Sequence, residues 1–350
     1  MSAMQTFARP RLTRRQGAEL LSRIAAASRA AGLTRPAPAE SVTRLCLNAA
    51  CIALCLGAAW FSSSPVLVAA AWLGLAWCVA QMAFLAHGAL HGAVGASRSA
   101  NLIFGQLAMT VFAGLGFEEW KQRHREHHIY CQIDGRDPDM AVDFVASLTA
   151  DAAASKGAAA RALGRYQGVY LWGLSLLFGH SQRTLSQLGA LAAPRRYRRD
   201  LALLAIHYGV WIVLPLLALN VPVERVLAAY LVPATLLGAH FAAIFWVNHV
   251  GMPLIGEPKA FSYVERQVVT TRNVCVPAPL DAVFGGLNYQ IEHHLVPSCP
   301  PFRLRRLRAV LRPLLIEAGL PYHETGWWHA LREVGTHFRR IGALMARPAG

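Results

Sequence analysis

Histidines are the residues of this chain whose type and spacing could do chemistry. Imidazole is the commonest neutral metal ligand near neutral pH, and side chains three or four residues apart on a helix project from one face. Three short stretches of the chain together offer seven imidazole nitrogens, more than one tetrahedral zinc ion takes, so the pattern predicts two metal ions. Seven of the fourteen histidines fall in three short stretches: His87 and His91; His124, His127 and His128; His293 and His294.

The three stretches differ in how strongly each one indicates a metal site. The HxxxH spacing of the first is common by chance, and it gains weight because two more histidine stretches follow. Charged residues surround the second stretch, which indicates that it faces water or a polar site. His293 and His294 are adjacent, so a regular helix would point them about 100° apart. They could bind the same metal ion only if the helix is locally distorted. Otherwise each of them would bind a different metal ion.

The order of the motifs, HxxxH, then HxxHH, then QxxHH, resembles that of the membrane fatty acid desaturase family. The run GGLNYQIEHH is similar to the subgroup that has glutamine in the third motif, which includes front-end desaturases. Trp120 and Asp137-Pro138-Asp139 stand around the second motif in the order that this subgroup shows. The resemblance extends over about residues 87–322.

The resemblance implies two iron ions held by the seven histidines of the three motifs. It also implies a ligand at the end of the fourth apolar stretch, where His249 follows Asn248. Asp137 would accept a hydrogen bond from a ligand histidine and fix its tautomer, or it is a plain turn carboxylate. Gln290 stands where many relatives carry histidine. An amide is a poorer iron ligand, so we place Gln290 and Asn248 beside the metal.

The function that the resemblance implies is that of an oxygen-dependent fatty acyl desaturase, an oxidoreductase that introduces a double bond into a lipid acyl chain. Acid–base groups cannot remove hydrogen from an unactivated methylene, so the step needs a metal that activates dioxygen. An apolar tunnel would select the reacting carbon. The substrate would be an acyl lipid or an acyl thioester. Because the sequence shows no fused haem-binding cytochrome domain, we expect electrons from a separate carrier such as a ferredoxin or a free cytochrome.

Two alternative functions stay open at this point. A hydroxylase or ketolase on the same scaffold would act on fatty acyl, sphingolipid or carotenoid chains, and the motifs do not separate these activities from desaturation. A histidine-rich metal transporter would need polar residues at the bilayer midplane. The apolar stretches hold few such residues, and the histidine motifs cluster at their ends. These few are Asn48, Gln81, His207 and His240.

The composition is that of an integral membrane protein. Of 350 residues, 55% are hydrophobic and only 15% are charged, with a mean hydropathy of +0.33. The net charge of +15 is the kind that nucleic-acid-binding proteins carry. The placement of that charge favours membrane topology instead, so we expect a lipid bilayer and no nucleic acid as partner.

Four apolar stretches are long enough to span a bilayer. They pair into two hairpins across short turns, and they predict an all-α integral membrane protein with a cytoplasmic helical cap that carries the histidine motifs. The stretch Leu102–Phe117 is too short to cross. If it crossed, the first two motifs would lie on opposite sides, so we expect an interfacial or partly buried helix. The four stretches are residues 42–61, 66–86, 201–219 and 226–247.

The lysines and arginines predict the orientation. With four spans and both termini inside, only Arg225 of the 34 basic residues lies outside. This asymmetry predicts cytoplasmic termini and a cytoplasmic active site. The predicted organisation is a basic cytoplasmic segment over residues 1–41, a membrane desaturase domain over 42–322, and a basic cytoplasmic tail over 323–350.

Two basic stretches have amphipathic patterns. Thr13–Ala31 predicts either a membrane-surface helix or a solvated tail. After the third motif, leucines at 304, 307, 311 and 315 interleave with arginines at 303, 305, 306, 308 and 312. This pattern favours a membrane-surface helix. The alternative is a site that docks an acidic electron carrier or lipid phosphate.

Overall fold

The computed structural model describes residues 11–140 and 146–346. This part of the chain is mostly helical, which confirms the predicted all-α fold. Its one sheet is a pair of short parallel strands, β1 (Asn273–Cys275) and β2 (Glu324–Gly326). It divides into two compact units. The membrane unit comprises residues 35–122 and 175–242, and the histidine unit comprises the chain up to residue 34, residues 123–174 and residues from 243 onward.

The helices follow one another with short connections. Two of them continue as π-helices, the fourth over Gln106–Phe112 and the tenth over Gly209–Val213. In chain order they are α1 (Arg14–Ala30), α2 (Pro38–Phe61), α3 (Pro65–Leu90), α4 (Arg98–Gly105), α5 (Phe117–Tyr130), α6 (Ala150–Ala154), α7 (Ala158–Gly164), α8 (Gln167–Leu174), α9 (Phe178–Ala192), α10 (Arg198–Tyr208), α11 (Leu214–Leu217), α12 (Val223–His249), α13 (Tyr263–Val269), α14 (Asp281–Phe284), α15 (Gln290–Leu295), α16 (Leu304–Glu317) and α17 (Trp327–Met345).

Four helical segments of the described chain are long and apolar enough to cross a membrane as single helices. They are α2, α3, the combined segment Arg198–Leu217 and α12. Each begins one to four residues before the apolar stretch that predicted it. At α3 the hydroxyl of Ser64 accepts a hydrogen bond from the backbone N–H of Leu67, and Pro65 occupies the first helical position.

Arg225 joins the turns of the two hairpins. Its Nη1 donates to the backbone carbonyls of Trp60 at 2.8 Å and Ser62 at 3.1 Å. These carbonyls belong to the carboxyl end of α2, where a cation is stabilised by the helix dipole. The one basic residue predicted to lie outside therefore has a structural partner.

The chain bends by 108° between α4 with its π-helical continuation and α5. Gly114 supplies the bend with a positive φ of +75°, which glycine adopts without strain. The Oδ2 atom of Asp200 then accepts hydrogen bonds from the backbone N–H groups of Glu118 and Glu119, at 2.9 and 3.2 Å. This carboxylate satisfies the amino end of α5, the helix that carries the second histidine motif.

The core of the histidine unit corrects both predictions of a membrane-surface helix. The apolar face of α1 packs into this core through Leu20 and Ile24, which are 4% and 0% exposed. The leucines of α16 are fully buried in the same cluster, for example Leu307 and Leu311. An amphipathic stripe needs an apolar surface to cover it, and each of these stripes covers the other instead of lying on lipid.

Residues after Tyr322, set apart as a tail in the predicted organisation, form part of the histidine unit. Strand β2 pairs with β1 in parallel, and α17 packs against α8 and α6. Arg272, only 1% exposed, forms an ion pair with Glu333 of α17 and donates to the backbone carbonyl of Val247. This contact ties α17 to the end of α12, beside His249.

Candidate metal centre

Helix α5 positions the three histidines of the second motif. His124 and His128 are one turn apart, and their Nε2 atoms lie 3.0 Å from each other. His127 points to a different partner, because its Nδ1 lies 2.9 Å from Oδ1 of Asp137. The motif therefore contributes to two separate clusters of nitrogen atoms.

The short helix α15 carries the third motif and is held by a buried polar network. Oδ1 of Asn273 accepts the backbone N–H of Ile291 at 2.9 Å. The carboxylate of Glu292, which is fully buried, accepts hydrogen bonds from Asn273 Nδ2 at 2.8 Å and from the Tyr322 hydroxyl at 2.6 Å. A helix of six residues is marginal by itself, so these contacts fix the direction of its histidines.

The turn before α15 requires glycine at position 286. Its φ is +83°, and a Cβ at this position would overlap the backbone carbonyl of Pro301. The carbonyl of Gly286 accepts the backbone N–H of Tyr289, which sets the start of α15. The second glycine in GGLNYQIEHH is therefore explained by close backbone approach.

The first nitrogen cluster of the histidine unit consists of His124, His128 and His293. Nε2 of His293 lies 3.1 Å from Nε2 of His128, and each of the three offers a nitrogen within 4.8 Å of the others. His128 and His293 are 8% and 2% exposed. Two facing imidazole nitrogens can form one hydrogen bond, in which one donates its N–H to the lone pair of the other. The third nitrogen brings a further lone pair for which the cluster has no matching N–H donor. A cation fits such a donor set.

The second cluster consists of His127, His249 and His294, with Cys131 beside them, all within 4.8 Å of one another. Nδ1 of His294 lies 2.7 Å from Oε1 of Gln267, an acceptor. His294 therefore carries its proton on Nδ1 and offers the lone pair of Nε2. Burial and the neighbouring histidines hold the pKa of His294 well below its usual value, so this lone pair stays available.

The pKa of His127, which pairs with Asp137, is raised, whereas the pKa of His294 is lowered. Burial acts to lower the pKa of His127, but the carboxylates of Asp139 and Asp137 raise it to about 9. For Asp137, burial acts to raise the pKa, and the hydrogen bond from His127 lowers it. The predicted contact of Asp137 with a motif histidine is present, and it leaves Nε2 of His127 facing the cluster.

Gln290 lies between two histidines of the second cluster, His249 at the end of α12 and His294 of α15. Its Nε2 is 2.9 Å from Nε2 of His249 and 3.1 Å from Nε2 of His294. Asn248 Nδ2 donates to Oε1 of Gln290 at 3.3 Å. An amide NH₂ group has two hydrogens, so one amide meets both imidazole lone pairs. A metal bound at those lone pairs requires this amide to turn or move.

The first motif lies in the membrane unit, at the carboxyl end of α3. His87 is 5% exposed and its ring centroid is 5.0 Å from that of His91. The Trp120 ring lies 5.9 Å from that of His87. That these two histidines bind the same metal ions as the six histidines of the histidine unit stays a prediction. His240, expected nearer the lipid core, contacts Phe84 with ring centroids 6.3 Å apart.

Sequence reasoning missed the residues that hold the ligands in place. Gln267 and Asn273 are polar, buried and essential to the geometry above, but no motif marks them. Glu292 directly precedes the two histidines of the third motif, and burial raises the pKa of its carboxyl against the hydrogen bonds of Tyr322 and Asn273 that lower it. Only its position inside the motif could have indicated a role.

Comparison with known proteins places these features in context. The sequence profile of the fatty acid desaturase family matches residues 62–326. The chain is 29% identical over 279 residues to "Delta(8)-fatty-acid desaturase 2" of Arabidopsis thaliana, which covers 75% of this chain and 61% of that protein. It is 27% identical over 305 residues to "Delta(5) fatty acid desaturase fat-4" of Caenorhabditis elegans, an alignment that covers 82% of this chain and 65% of that protein. The chain thus spans about three fifths of the length of the Arabidopsis relative.

Proposed function

Because this chain belongs to the fatty acid desaturase family, we propose that it is an oxygen-dependent di-iron enzyme that introduces a double bond into a lipid acyl chain. The observation that carries the proposal is the convergence of imidazoles from α5, α12 and α15 into two adjoining clusters. Both clusters contain buried histidines, and in the second cluster Asp137 and Gln267 fix the orientation of His127 and His294.

The proposed iron ligands are the histidines of the three motifs together with the one that ends α12. The donor set fits iron because it consists of neutral imidazoles with carboxylates held behind them. Bound iron supplies the activation of dioxygen that removal of hydrogen from an unactivated methylene requires. The ligands are His87, His91, His124, His127, His128, His249, His293 and His294.

The protein's own contribution is orientation. Asp137 and Gln267 each accept a hydrogen bond from Nδ1–H of one histidine and so direct Nε2 of His127 and His294 inward. Asn248 and Gln290 lie against the same cluster without a charge. The network of Asn273, Glu292 and Tyr322 keeps α15 in register, so the third motif keeps its geometry through the reaction cycle.

The substrate in this proposal is an acyl lipid or an acyl thioester, and an external ferredoxin or cytochrome supplies electrons. The four apolar segments are long enough to cross a bilayer, where acyl lipids are dissolved. The concentration of basic residues on one side supports cytoplasmic termini and a cytoplasmic metal centre.

The test is expression of the chain in a bacterial host, followed by mass spectrometry of the extracted fatty acids. A product two mass units lighter than its precursor is expected, and its loss in a His128→Ala variant at equal membrane abundance ties it to the metal centre. Iron close to two equivalents per purified chain is the second readout. A product sixteen mass units heavier identifies a hydroxylase, and one zinc per chain contradicts the di-iron assignment.

A further inference from the structure

Arg183 is a buried cation in the membrane unit, only 7% exposed, on helix α9. Its Nε donates to the backbone carbonyl of Ala113 at 2.8 Å. Its guanidinium carbon lies 4.8 Å from the centroid of the Tyr230 ring. Its Nη1 is buried and has no hydrogen-bond partner among the described residues. A guanidinium carries five N–H donors, so this side chain is incompletely satisfied.

The groups around Arg183 are neutral. Nδ1 of His207 lies 2.8 Å from the backbone carbonyl of Val111, and Nε2 lies 3.0 Å from the hydroxyl of Tyr230. A neutral imidazole explains both contacts, because Nδ1 donates to the carbonyl and Nε2 accepts from the phenol. A second cation is disfavoured beside Arg183. Tyr208 directs its hydroxyl to Oε1 of Gln187 at 2.9 Å.

No carboxylate of the described chain forms an ion pair with Arg183. Burial lowers the pKa of Arg183, against the nearby tyrosines that raise it. An arginine does not lose its proton in proteins, so the charge persists. A buried charge without a partner is costly, and an ionisable residue in a membrane protein is a candidate functional group.

The surroundings of Arg183 point to a lipid as the source of the missing anion. Leu185, Leu188 and Leu191 of α9 are 54%, 58% and 61% exposed, whereas Arg183 and Ser186 are buried on another side. A row of exposed leucines on a helix suits contact with lipid. Lipid therefore lies against one side of α9, and the guanidinium on the other side can meet only the polar end of a lipid that enters the membrane unit.

Arg183 also lies beside the bend that leads into α5, the helix that carries the second histidine motif. Ser186 accepts the backbone N–H of Gly116 at 2.8 Å, and Gln187 donates to the carbonyl of Gly114 at 2.9 Å. Helix α5 starts directly after this bend, and its Trp120 contacts His87. The incompletely satisfied guanidinium is thus connected to the candidate metal ligands through this hydrogen-bonded turn.

We propose that Arg183 binds the oxyanion, phosphate or carboxylate, at the polar end of the acyl substrate. A planar guanidinium suits such oxyanions because two N–H groups can bond two oxygens at once. The inference rests on the proposed function for the identity of the ligand as an acyl lipid. Binding without turnover tests it separately.

The experiment measures equilibrium binding of three probes to the full-length protein in maltoside micelles, which contain no phosphate. The probes are oleate, oleoyl lysophosphatidate and uncharged methyl oleate. Arg183→Gln is expected to weaken binding of the anionic probes about tenfold or more, since a hydrogen bond to a charged group contributes about 1.5–3 kcal/mol. Binding of methyl oleate should stay within about twofold. Arg183→Lys should retain part of the affinity because it keeps the charge.

The matched control is Arg161→Gln. The guanidinium of Arg161 also donates to backbone carbonyls, those of Ala153 and Leu344, but it belongs to the histidine unit. This variant should bind all three probes like the parent. A loss confined to oleate identifies a carboxylate, and one confined to lysophosphatidate identifies a phosphate.

Two outcomes overturn the proposal. One is an unchanged affinity for both anionic probes in Arg183→Gln and Arg183→Lys. The other is an equal loss for anionic and uncharged probes, which assigns Arg183 a packing role. If the parent binds the anions through Arg183 but forms no unsaturated product in cells, the proposed function fails and the anion site stands.

Discussion

His127 and Asp137 form a hydrogen bond of 2.9 Å between side chains that are only 3% and 2% exposed. The carboxylate also accepts the backbone N–H groups of Gln132 and Asp139, at 2.9 and 3.0 Å. Asp137 is therefore fixed by the chain around it and can hold the imidazole in one orientation. A ligand histidine held in this way binds metal with its remaining nitrogen.

Asp137→Asn should lower the yield of desaturated product about 10–100-fold, the range for partners that orient ligands. The amide keeps the size of the side chain but weakens the charged hydrogen bond to His127. Iron content and lipid profiles of purified and expressed protein measure the effect. Asp134→Asn is the control, because it makes the same change three residues away on an exposed side chain whose carboxylate accepts the backbone N–H of Gly135 and contacts no histidine in the described chain. Equal losses in both variants would contradict the orienting role.

His293→Ala and His294→Ala should each abolish product while leaving the protein in the membrane. Each change removes an imidazole that the flanking apolar Ile291 and Leu295 cannot replace. Acyl profiles of cells that make each variant at equal membrane abundance provide the measurement. Desaturation at the parental level in His293→Ala would show that the third motif is not part of the metal centre.

Gln290→Ala should leave measurable activity, because the amide contacts two ligand histidines without being one of them. Its loss frees the lone pairs of His249 and His294 for metal, so iron content should stay near the parental value. Gln290→His tests whether an imidazole is tolerated in the same place. Complete loss of iron in Gln290→Ala would instead make the glutamine a ligand.

Gly286→Ala should destabilise the folded protein by at least ~2 kcal/mol, since a positive φ and a steric overlap with Pro301 act together. Thermal unfolding of the detergent-solubilised protein reports the change. Gly256→Ala serves as the control because a Cβ there meets no atom within 4 Å. Equal unfolding temperatures for the two variants would show that the turn before α15 adapts freely.

Reporter fusions at residues 150 and 350 should both be cytoplasmic. The two positions follow the second and the fourth predicted span, so they share a side if four helices cross the bilayer. A fusion within the turn at residues 218–222 should report the opposite side. An external signal at residue 150 would mean that the bent segment before α5 crosses, and it would separate the first two motifs.

The sequence predicts the membrane helices and the histidine motifs well because both depend on local pattern. Hydropathy locates α2 and α3 within a few residues, and the spacing of His124 and His128 gives their shared face. The position of Gln267 against His294 could not be predicted, because it depends on contact between α13 and α15. The burial of α1 against α16 was also out of reach, since an apolar stripe has the same spacing whether protein or lipid covers it.

The contact between α1 and α16 has a consequence for biosynthesis. About 270 residues separate Ala30 from Leu304, so α1 leaves the ribosome long before its partner exists. At about 5–20 residues per second, the interval is roughly 14–55 s. During that time Leu20 and Ile24 have no native surface to cover them. The nascent chain must either keep α1 bound to the membrane or to a chaperone, or leave it unfolded until α16 arrives.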